Sequence, residues 1–188
     1  MWKRFNEWRT RRETIRASFP HQVLHVDGTD FTLRRMQASD VDAALALEQD
    51  VYGYLPWDRM AFLYELQKTA TSQYFALTLP DAAQLVAFIG ISFKRTESHI
   101  TNIAVSSQYQ RRGIGRTLMK MMIDWSRTLG MNAVSLEVRL DNVHAQALYR
   151  ELGFTDGRVR RNYYTRERAD ALDMLLRLDG QLADEDAH

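Results

Sequence analysis

The chain has 188 residues and no cysteine, and its 25 lysine and arginine residues nearly balance 24 aspartate and glutamate residues. This length fits one domain with some excess, and 45% apolar with 26% charged residues is typical of a globular protein. The absence of cysteine excludes disulfide scaffolds, cysteine-ligated zinc and a cysteine nucleophile. The net charge of +1 argues against a chain dominated by a nucleic-acid-binding face.

The first predicted element is a basic amphipathic helix. Phe5, Trp8, Ile15 and Phe19 share one stripe of a helical projection, the basic residues lie elsewhere, and Pro20 ends the helix. Three interpretations stay open: a helix docked on its own domain or on a second subunit, a helix bound to a membrane, RNA or ribosomal surface, and a disordered segment.

Short strands and helices alternate from Asp30 onward. The pattern predicts strand 31–36, a helix that opens at 39, helix 57–70, strands 74–79, 85–93 and 99–105, helix 113–129, strand 133–139, helix 143–152, and strands 159–164 and 171–178. Strands 99–105 and 133–139 flank a helix and should therefore run parallel. The order predicts an α/β fold, a mixed central sheet with helices on both faces.

The chain divides into three predicted regions. Residues 30–178 form the α/β domain, residues 1–29 the basic helical extension, and residues 179–188 an acidic tail. The longest apolar run, Leu85 to Ile91, is far shorter than a membrane span, and the basic start is not followed by a signal-peptide core. We therefore expect a cytoplasmic protein. The five histidines show no helical metal spacing with a carboxylate, so we expect no metal.

The most informative stretch is the loop between strand 99–105 and its helix. Its residues are Gln110, Arg111, Arg112, Gly113, Ile114, Gly115 and Arg116. Glycines at a helix start let a ligand approach the backbone, and the free N–H groups and helix dipole favour an anion. The three arginines suit a di- or triphosphorylated ligand. A tight connection without a ligand is the alternative.

Two other nucleotide-binding loops fit this stretch less well. A P-loop would need a Gly-Lys-Ser/Thr sequence, which does not follow. A dinucleotide-binding fold would place a third glycine where Leu118 stands, although Glu137 has the spacing of the ribose-binding acid in that fold. The phosphate loop predicted here therefore differs from both.

Several short motifs follow one another along the domain. They are Asn102-Ile103-Ala104-Val105, Gln110-x-x-Gly113-x-Gly115, Leu136-Glu137-Val138-Arg139, and Asn142 with Ala147-Leu148-Tyr149-x-x-Leu152-Gly153-Phe154. Together they resemble the GNAT superfamily of acetyltransferases. Arg160-Arg161-Asn162-Tyr163-Tyr164 and Asp170-Ala171-Leu172-Asp173-Met174 narrow the resemblance to the RimI-type family of ribosomal-protein alanine N-acetyltransferases. The resemblance covers residues 30–178.

The resemblance implies a fold, a cosubstrate and a set of site residues. The fold would be the GNAT fold, and the cosubstrate would be acetyl-coenzyme A (acetyl-CoA). Its binding residues would be Ile103, Ala104, Val105, Gln110, Arg111, Arg112, Gly113, Ile114, Gly115, Arg116, Asn142 and Tyr149. By the same resemblance, Glu137 is the proton acceptor and Tyr149 the proton donor.

The residues alone leave structural alternatives for these roles. Alternation in strand 133–139 places Glu137 on the less apolar face, where an exposed carboxylate or an ion pair would also fit. Tyr149 has the helical spacing of a core residue, and Asn142 fits a helix N-cap. The constellation of motifs, and no single residue, favours the catalytic interpretation.

The chemistry favours direct transfer to an amine. The chain has no cysteine and no Gly-x-Ser-x-Gly motif, so we do not expect a covalent acyl-enzyme. Direct attack of the amine on the thioester requires no such intermediate. An N-terminal α-amine has a pKa of about 7.7 to 8.0 against about 10.4 for lysine, so it is more readily the free base. We expect the oxyanion to be stabilised by a backbone N–H near Val105, if the two parallel strands separate there.

We therefore predict an N-acetyltransferase that acetylates the N-terminal alanine of a small-subunit ribosomal protein. Its partners would be acetyl-CoA and that protein N-terminus, with no membrane and no direct nucleic acid, and a homodimer stays open. The acceptor groove would lie between residues 52–57 and the Asn162-Tyr163-Tyr164 strand. The alternatives are transfer to lysine, a polyamine or another small amine, and a module that binds acetyl-CoA or a ribosome without catalysis.

Overall fold

The structure is a computed structural model that describes residues 21–55, 57–80, 84–165 and 167–178. The predicted helix before Pro20 and the predicted tail 179–188 lie outside the described residues. The described elements are β1 (Gln22–Val26), β2 (Thr29–Arg35), α1 (Val41–Tyr52), α2 (Arg59–Gln67), β3 (Ser72–Thr78), β4 (Leu85–Lys94), β5 (Glu97–Val105), α3 (Ile114–Thr128), β6 (Ala133–Arg139), α4 (Val143–Glu151), β7 (Thr155–Tyr164) and β8 (Ala169–Arg177).

The strands form one sheet in the order β1-β2-β3-β4-β5-β6-β8-β7. The ladder between β5 and β6 is parallel, and the other strand pairs are antiparallel. The parallel direction follows from the crossover through α3, as the sequence predicts. The predicted α/β fold with a mixed sheet is confirmed.

Helices cover the sheet on both faces. Side chains alternate along a strand, so Phe75 and Leu77 of β3 join one hydrophobic cluster while Tyr74 and Ala76 join another. The first cluster holds the apolar stripe of α3, and the second holds the apolar residues of α1 and α2. The apolar stripe of α3 faces this cluster, since Ile114, Leu118, Met122, Trp125 and Leu129 are all buried.

Some element bounds differ from the sequence prediction. The strand β1 was not predicted, and it lies within the range 1–29 that the sequence assigns to an extension. The helix α2 is shorter than the predicted 57–70, because the Asp58 side chain accepts from the Ala61 N–H at 2.8 Å and caps it there. The division of the chain at residue 30 stays a prediction. None of the described helices combines the length and apolar character needed to span a membrane.

Candidate active site

A cleft opens where β5 and β6 separate. The two strands pair only from Glu97 to Ile100 on β5, among the described residues. Beyond that point β5 carries a bulge, since Gly90 of β4 faces Asn102 while the next residue, Ile91, faces Ile100. The resulting cleft has a volume of about 790 Å³ and reaches from α1 to the start of α3.

Where β5 has separated from β6, two of its backbone carbonyls accept hydrogen bonds from side chains instead of from β6. The Tyr52 hydroxyl of α1 donates to the carbonyl oxygen of Ile103 at 2.5 Å, and the Gln110 amide donates to that of Val105 at 3.0 Å. Residues two apart on a strand point their backbone groups in the same direction. The N–H groups of Ile103 and Val105 therefore face the cleft, as the sequence hypothesis of separated strands requires.

The glycine loop forms one end of the cleft. Gly113 has the left-handed φ of 86° at the N-cap of α3, and Arg111 has a φ of 64°. A Cβ at Gly115 would lie 3.8 Å from Leu148, so the packing of the fold does not require glycine there. Of the predicted loop residues, Arg112 does not line the cleft; its guanidinium lies 5.2 Å from the centre of the Tyr109 ring.

The arginine charge of this loop is partly compensated. Arg116 lines the cleft and forms an ion pair with Glu151 of α4. Both side chains are about half exposed, so a ligand anion can compete for this guanidinium. Together with the first N–H groups of α3, the arrangement makes an anion-binding corner.

Glu137 lies in the wall of the cleft with its carboxylate held by two basic groups. Its side chain is 14% exposed, with one oxygen 3.1 Å from Nε2 of His99 and the other 3.2 Å from Nη2 of Arg160. The hydrogen bond from His99 lowers the pKa of Glu137 more than burial raises it, and Arg160 and Tyr163 lower it further. The group is therefore a carboxylate at neutral pH.

Tyr149 faces the same cleft from α4 in the opposite protonation state. The residue is 7% exposed, and burial raises the pKa of its hydroxyl to about 12. The phenol is therefore protonated at neutral pH and can donate. Asn142 also lines the cleft, and it is the N-cap of α4, since its side chain accepts from the Ala145 N–H at 3.1 Å.

Aromatic rings and one arginine form a second cluster of side chains that lines the cleft. The Arg139 guanidinium lies 5.5 Å from the Tyr54 ring and 5.9 Å from the Tyr164 ring, and Tyr163 packs against Tyr164 with the ring centres 5.2 Å apart. Trp57 also lines the cleft. The aromatic residues of the two predicted acceptor segments thus share one cavity.

Sequence reasoning missed several residues of the site. His99 and Arg160, which hold Glu137, lie on β5 and β7, and Glu48 and Tyr52 reach the cleft from α1. The signal for His99 was present, because the predicted parallel pairing of β5 with β6 brings it beside the strand of Glu137. The contacts of α1 have no comparable signal, since helix packing across the sheet is not readable from spacing.

Comparison with known proteins shows which family the chain belongs to. The model of the acetyltransferase (GNAT) family matches residues 41–154, more than half of the chain. The chain belongs to this family. GNAT proteins of this kind are acetyl-CoA-dependent N-acetyltransferases, so the predicted enzyme class, the cosubstrate and the GNAT fold are confirmed.

Comparison with individual relatives shows which members of this family the chain is similar to. The [ribosomal protein bS18]-alanine N-acetyltransferase of Escherichia coli K12 is 35% identical over 147 residues, which is 77% of this chain and 96% of that protein. The N-alpha-acetyltransferase RimI of Mycobacterium tuberculosis is 36% identical over 156 residues, 80% of this chain and 95% of that protein. The crystal structure of the E. coli ribosomal-protein-S18-alanine N-acetyltransferase superposes with a TM-score of 0.70 at 33% identity, covering 84% of this chain and 99% of that one.

Proposed function

We propose that this GNAT enzyme transfers the acetyl group to a protein N-terminal α-amine, and that its acceptor is the N-terminal alanine of a small-subunit ribosomal protein. The position of Glu137 carries the proposal, because this ionised carboxylate lines the same cleft as the glycine loop and the aromatic residues of the two predicted acceptor segments. The named activities of the E. coli and M. tuberculosis relatives support the acceptor. A ribosomal acceptor also places the enzyme in the cytoplasm.

The residues of the cleft fit acetyl-CoA. The edge of β5 offers the cleft-facing N–H groups of Ile103 and Val105 to an amide-containing arm, and the loop 111–116 with the start of α3 offers N–H groups and arginines to a pyrophosphate. Glycine at position 115, which packing does not require, leaves room for close approach of a phosphate. When bound, acetyl-CoA supplies the activated acyl group as a thioester.

Glu137 prepares the acceptor in this mechanism. As a carboxylate it attracts the ammonium form of the acceptor and accepts its proton, directly or through a water. The lowered pKa makes Glu137 a weak base, which suits an α-amine with a pKa of about 7.7 to 8.0 better than a lysine at about 10.4. The electrostatics of the site therefore favour an N-terminus over a lysine side chain.

The remaining two groups act on the acyl carbon and on the leaving sulfur. A cleft-facing N–H of β5 near Val105 stabilises the oxyanion, a contribution worth about 3 to 4 kcal/mol in other enzymes. The protonated hydroxyl of Tyr149 then donates to the thiolate as it leaves. The first residues of the acceptor bind among the aromatic residues that line the cleft, Tyr54, Trp57, Tyr163 and Tyr164.

The test is acceptor preference. The full chain is incubated with acetyl-CoA and, in separate reactions, with spermidine or with one of three peptides. The first peptide begins with alanine and contains an internal lysine, the second is the same peptide with a blocked N-terminus, and the third is a copy that begins with another residue. Mass spectrometry of the products should find the acetyl group on the alanine α-amine. Acetylation of the blocked peptide on lysine, or of spermidine in preference to all peptides, would overturn the proposed acceptor.

A further inference from the structure

A fully buried acid that the proposed mechanism does not use also lines the cleft. Glu48 of α1 is 0% exposed and lines the cleft beside Asn102 of β5. The Asn102 amide donates from Nδ2 to Oε1 of Glu48 at 3.0 Å. Within the described part of the chain, burial and this one hydrogen bond are the influences on its carboxyl group, and no basic side chain compensates it.

Two oxygen atoms of this pair have no partner. Oε2 of Glu48 and Oδ1 of Asn102 are both buried, and neither accepts or donates a hydrogen bond among the described residues. When a carboxyl and an amide lie side by side and one hydrogen bond joins them, these are the two atoms that remain. Both are acceptors if Glu48 is ionised, so neither can satisfy the other. A proton on Oε2 makes it a donor that Oδ1 can accept from.

We infer that Glu48 is a neutral carboxylic acid that forms a pair of hydrogen bonds with Asn102, and that this pair positions β5 where it leaves β6. One proton satisfies both unpartnered oxygens, which is the condition that buried polar atoms normally meet. Glu48 is then a positioning residue, since it acts on the reaction through the strand that binds the acetyl-CoA arm. This role rests on the proposed binding of that arm along β5.

The neighbouring residues of β5 are held in the same way. The Thr101 hydroxyl is hydrogen-bonded to the Tyr74 hydroxyl of β3 at 2.8 Å, and the Ile103 carbonyl accepts from Tyr52 at 2.5 Å. Three consecutive residues of the bulged segment are therefore each fixed by a side chain from outside β5. Asn102 is the middle residue, and its side chain is held by Glu48.

The pair should respond to pH in the neutral range. Burial raises the pKa of Glu48 to about 7, and the hydrogen bond from Asn102 opposes this shift. The ionisable groups that face it are the phenols of Tyr52 on the same helix and Tyr74 on β3, whose pKa values burial raises so that both are neutral. Above pH 7 the second hydrogen bond is lost, and neither oxygen can satisfy the other.

The test is the Glu48→Gln variant, in which an amide NH₂ replaces the O–H as donor without titrating. Acetyl-CoA binding is measured by calorimetry at pH 6 and pH 8.5, with no acceptor peptide present. We expect the affinity of the wild type to fall severalfold over this range and that of Glu48→Gln to stay constant. Glu65→Gln, an acid-to-amide change in the Lys68 ion pair of α2, is the matched control and should behave as the wild type.

A spectroscopic measurement tests the same inference without variants or catalysis. In the wild type labelled with ¹³C at glutamate side-chain carboxyls, one carbon should titrate near pH 7, and its resonance should be missing from Glu48→Gln. Absence of a glutamate that titrates near neutrality would overturn the neutral acid. Equal pH dependence of binding in Glu48→Gln and the wild type would overturn the positioning role. Because neither readout uses an acceptor, failure of the proposed acceptor leaves both results interpretable.

Discussion

The two groups assigned to proton transfer have environments that move their pKa values apart. His99 and Arg160 stabilise the charged form of Glu137, whereas the apolar surroundings of Tyr149 stabilise its neutral form. Two titratable groups separated in this way can serve as acceptor and donor at one pH. The proposed roles are consistent with what each side chain contacts, and they predict how each single-atom change affects turnover.

Removal of the Tyr149 hydroxyl should slow transfer without weakening cosubstrate binding. In Tyr149→Phe the ring still packs against Phe154, whose ring centre is 5.9 Å away, but the thiolate loses its proton donor. We expect the turnover rate to fall by about 10² to 10⁴ with little change in the Kd of acetyl-CoA. Steady-state kinetics and calorimetry measure the two quantities. Unchanged turnover would remove Tyr149 from the mechanism.

Neutralisation of Glu137 should give a pH-dependent defect. In the wild type this carboxyl is ionised above its lowered pKa, so proton acceptance is available throughout the neutral range. In Glu137→Gln only the acceptor amine already deprotonated in solution can react, and that fraction rises tenfold per pH unit below its pKa of about 8. We expect a slower variant whose rate recovers partly between pH 6 and pH 9. A profile parallel to that of the wild type would contradict the assignment.

At the scale of the elements, the bulge in β5 depends on one glycine of β4. A Cβ at Gly90 would clash with the Tyr74 ring edge and with the Thr101 hydroxyl, and these two groups are hydrogen-bonded to each other across the bulge. Gly90→Ala should therefore lower the free energy of unfolding by about 3 kcal/mol. Chemical denaturation measures this change, and a loss below about 0.5 kcal/mol would show that the bulge is not packed in this way.

Gly115→Ala is the matched control, since the two glycines differ in what surrounds them. A Cβ at Gly115 meets only ordinary contacts in the first turn of α3, so stability should be unchanged or rise by up to about 1 kcal/mol. Acetyl-CoA affinity should instead fall about tenfold or more, because a steric cost of 1.4 kcal/mol suffices for that. Unchanged affinity would remove Gly115 from the phosphate site.

The elements could be predicted from sequence wherever one periodicity dominates. The stripe of α3 and the alternation of β6 gave bounds within one residue of those found, and the alternation also placed Glu137 on the partly exposed face. The strand β1 was not predicted from the sequence because only Val26 in it is buried. Its signal was the Asp27-Gly28 turn, where both residues are left-handed as a two-residue hairpin requires.

The site was predictable only in part. A loop motif and an alternating strand are local patterns, so the glycine turn at the start of α3 and the orientation of Glu137 could be predicted from the sequence. The partners of Glu137 are not local. The predicted pairing of β5 with β6 brings the strand of His99 beside that of Glu137 without fixing the register, and Arg160 reaches Glu137 from β7, whose pairing no spacing determines. For the same reason the Glu48–Asn102 pair, which joins residues 54 positions apart, had no sequence signal.

At the scale of the whole molecule, the cleft divides the sheet into two halves. The strands β1 to β5 and the strands β6, β8 and β7 are joined, among the described residues, by a parallel ladder of only four residue pairs, Glu97–Ile100 against Ala133–Leu136. Residues assigned to acetyl-CoA lie on both sides of this ladder, on β5 and α3 and on α4. A ligand that occupies the cleft should therefore couple the two halves mechanically.

Acetyl-CoA should stabilise the entire domain and protect both walls of the cleft. A ligand at about 100 times its Kd adds about 2.7 kcal/mol to the free energy of unfolding, which for a chain of this length raises the Tm by about 5 to 10 °C. Hydrogen exchange should slow in residues 101–105 and also across the cleft in α4. Gly115→Ala at the same total ligand concentration should show a smaller shift. Protection confined to β5 and α3 would mean that the ligand binds one wall only, and that the two halves of the sheet are not coupled through it.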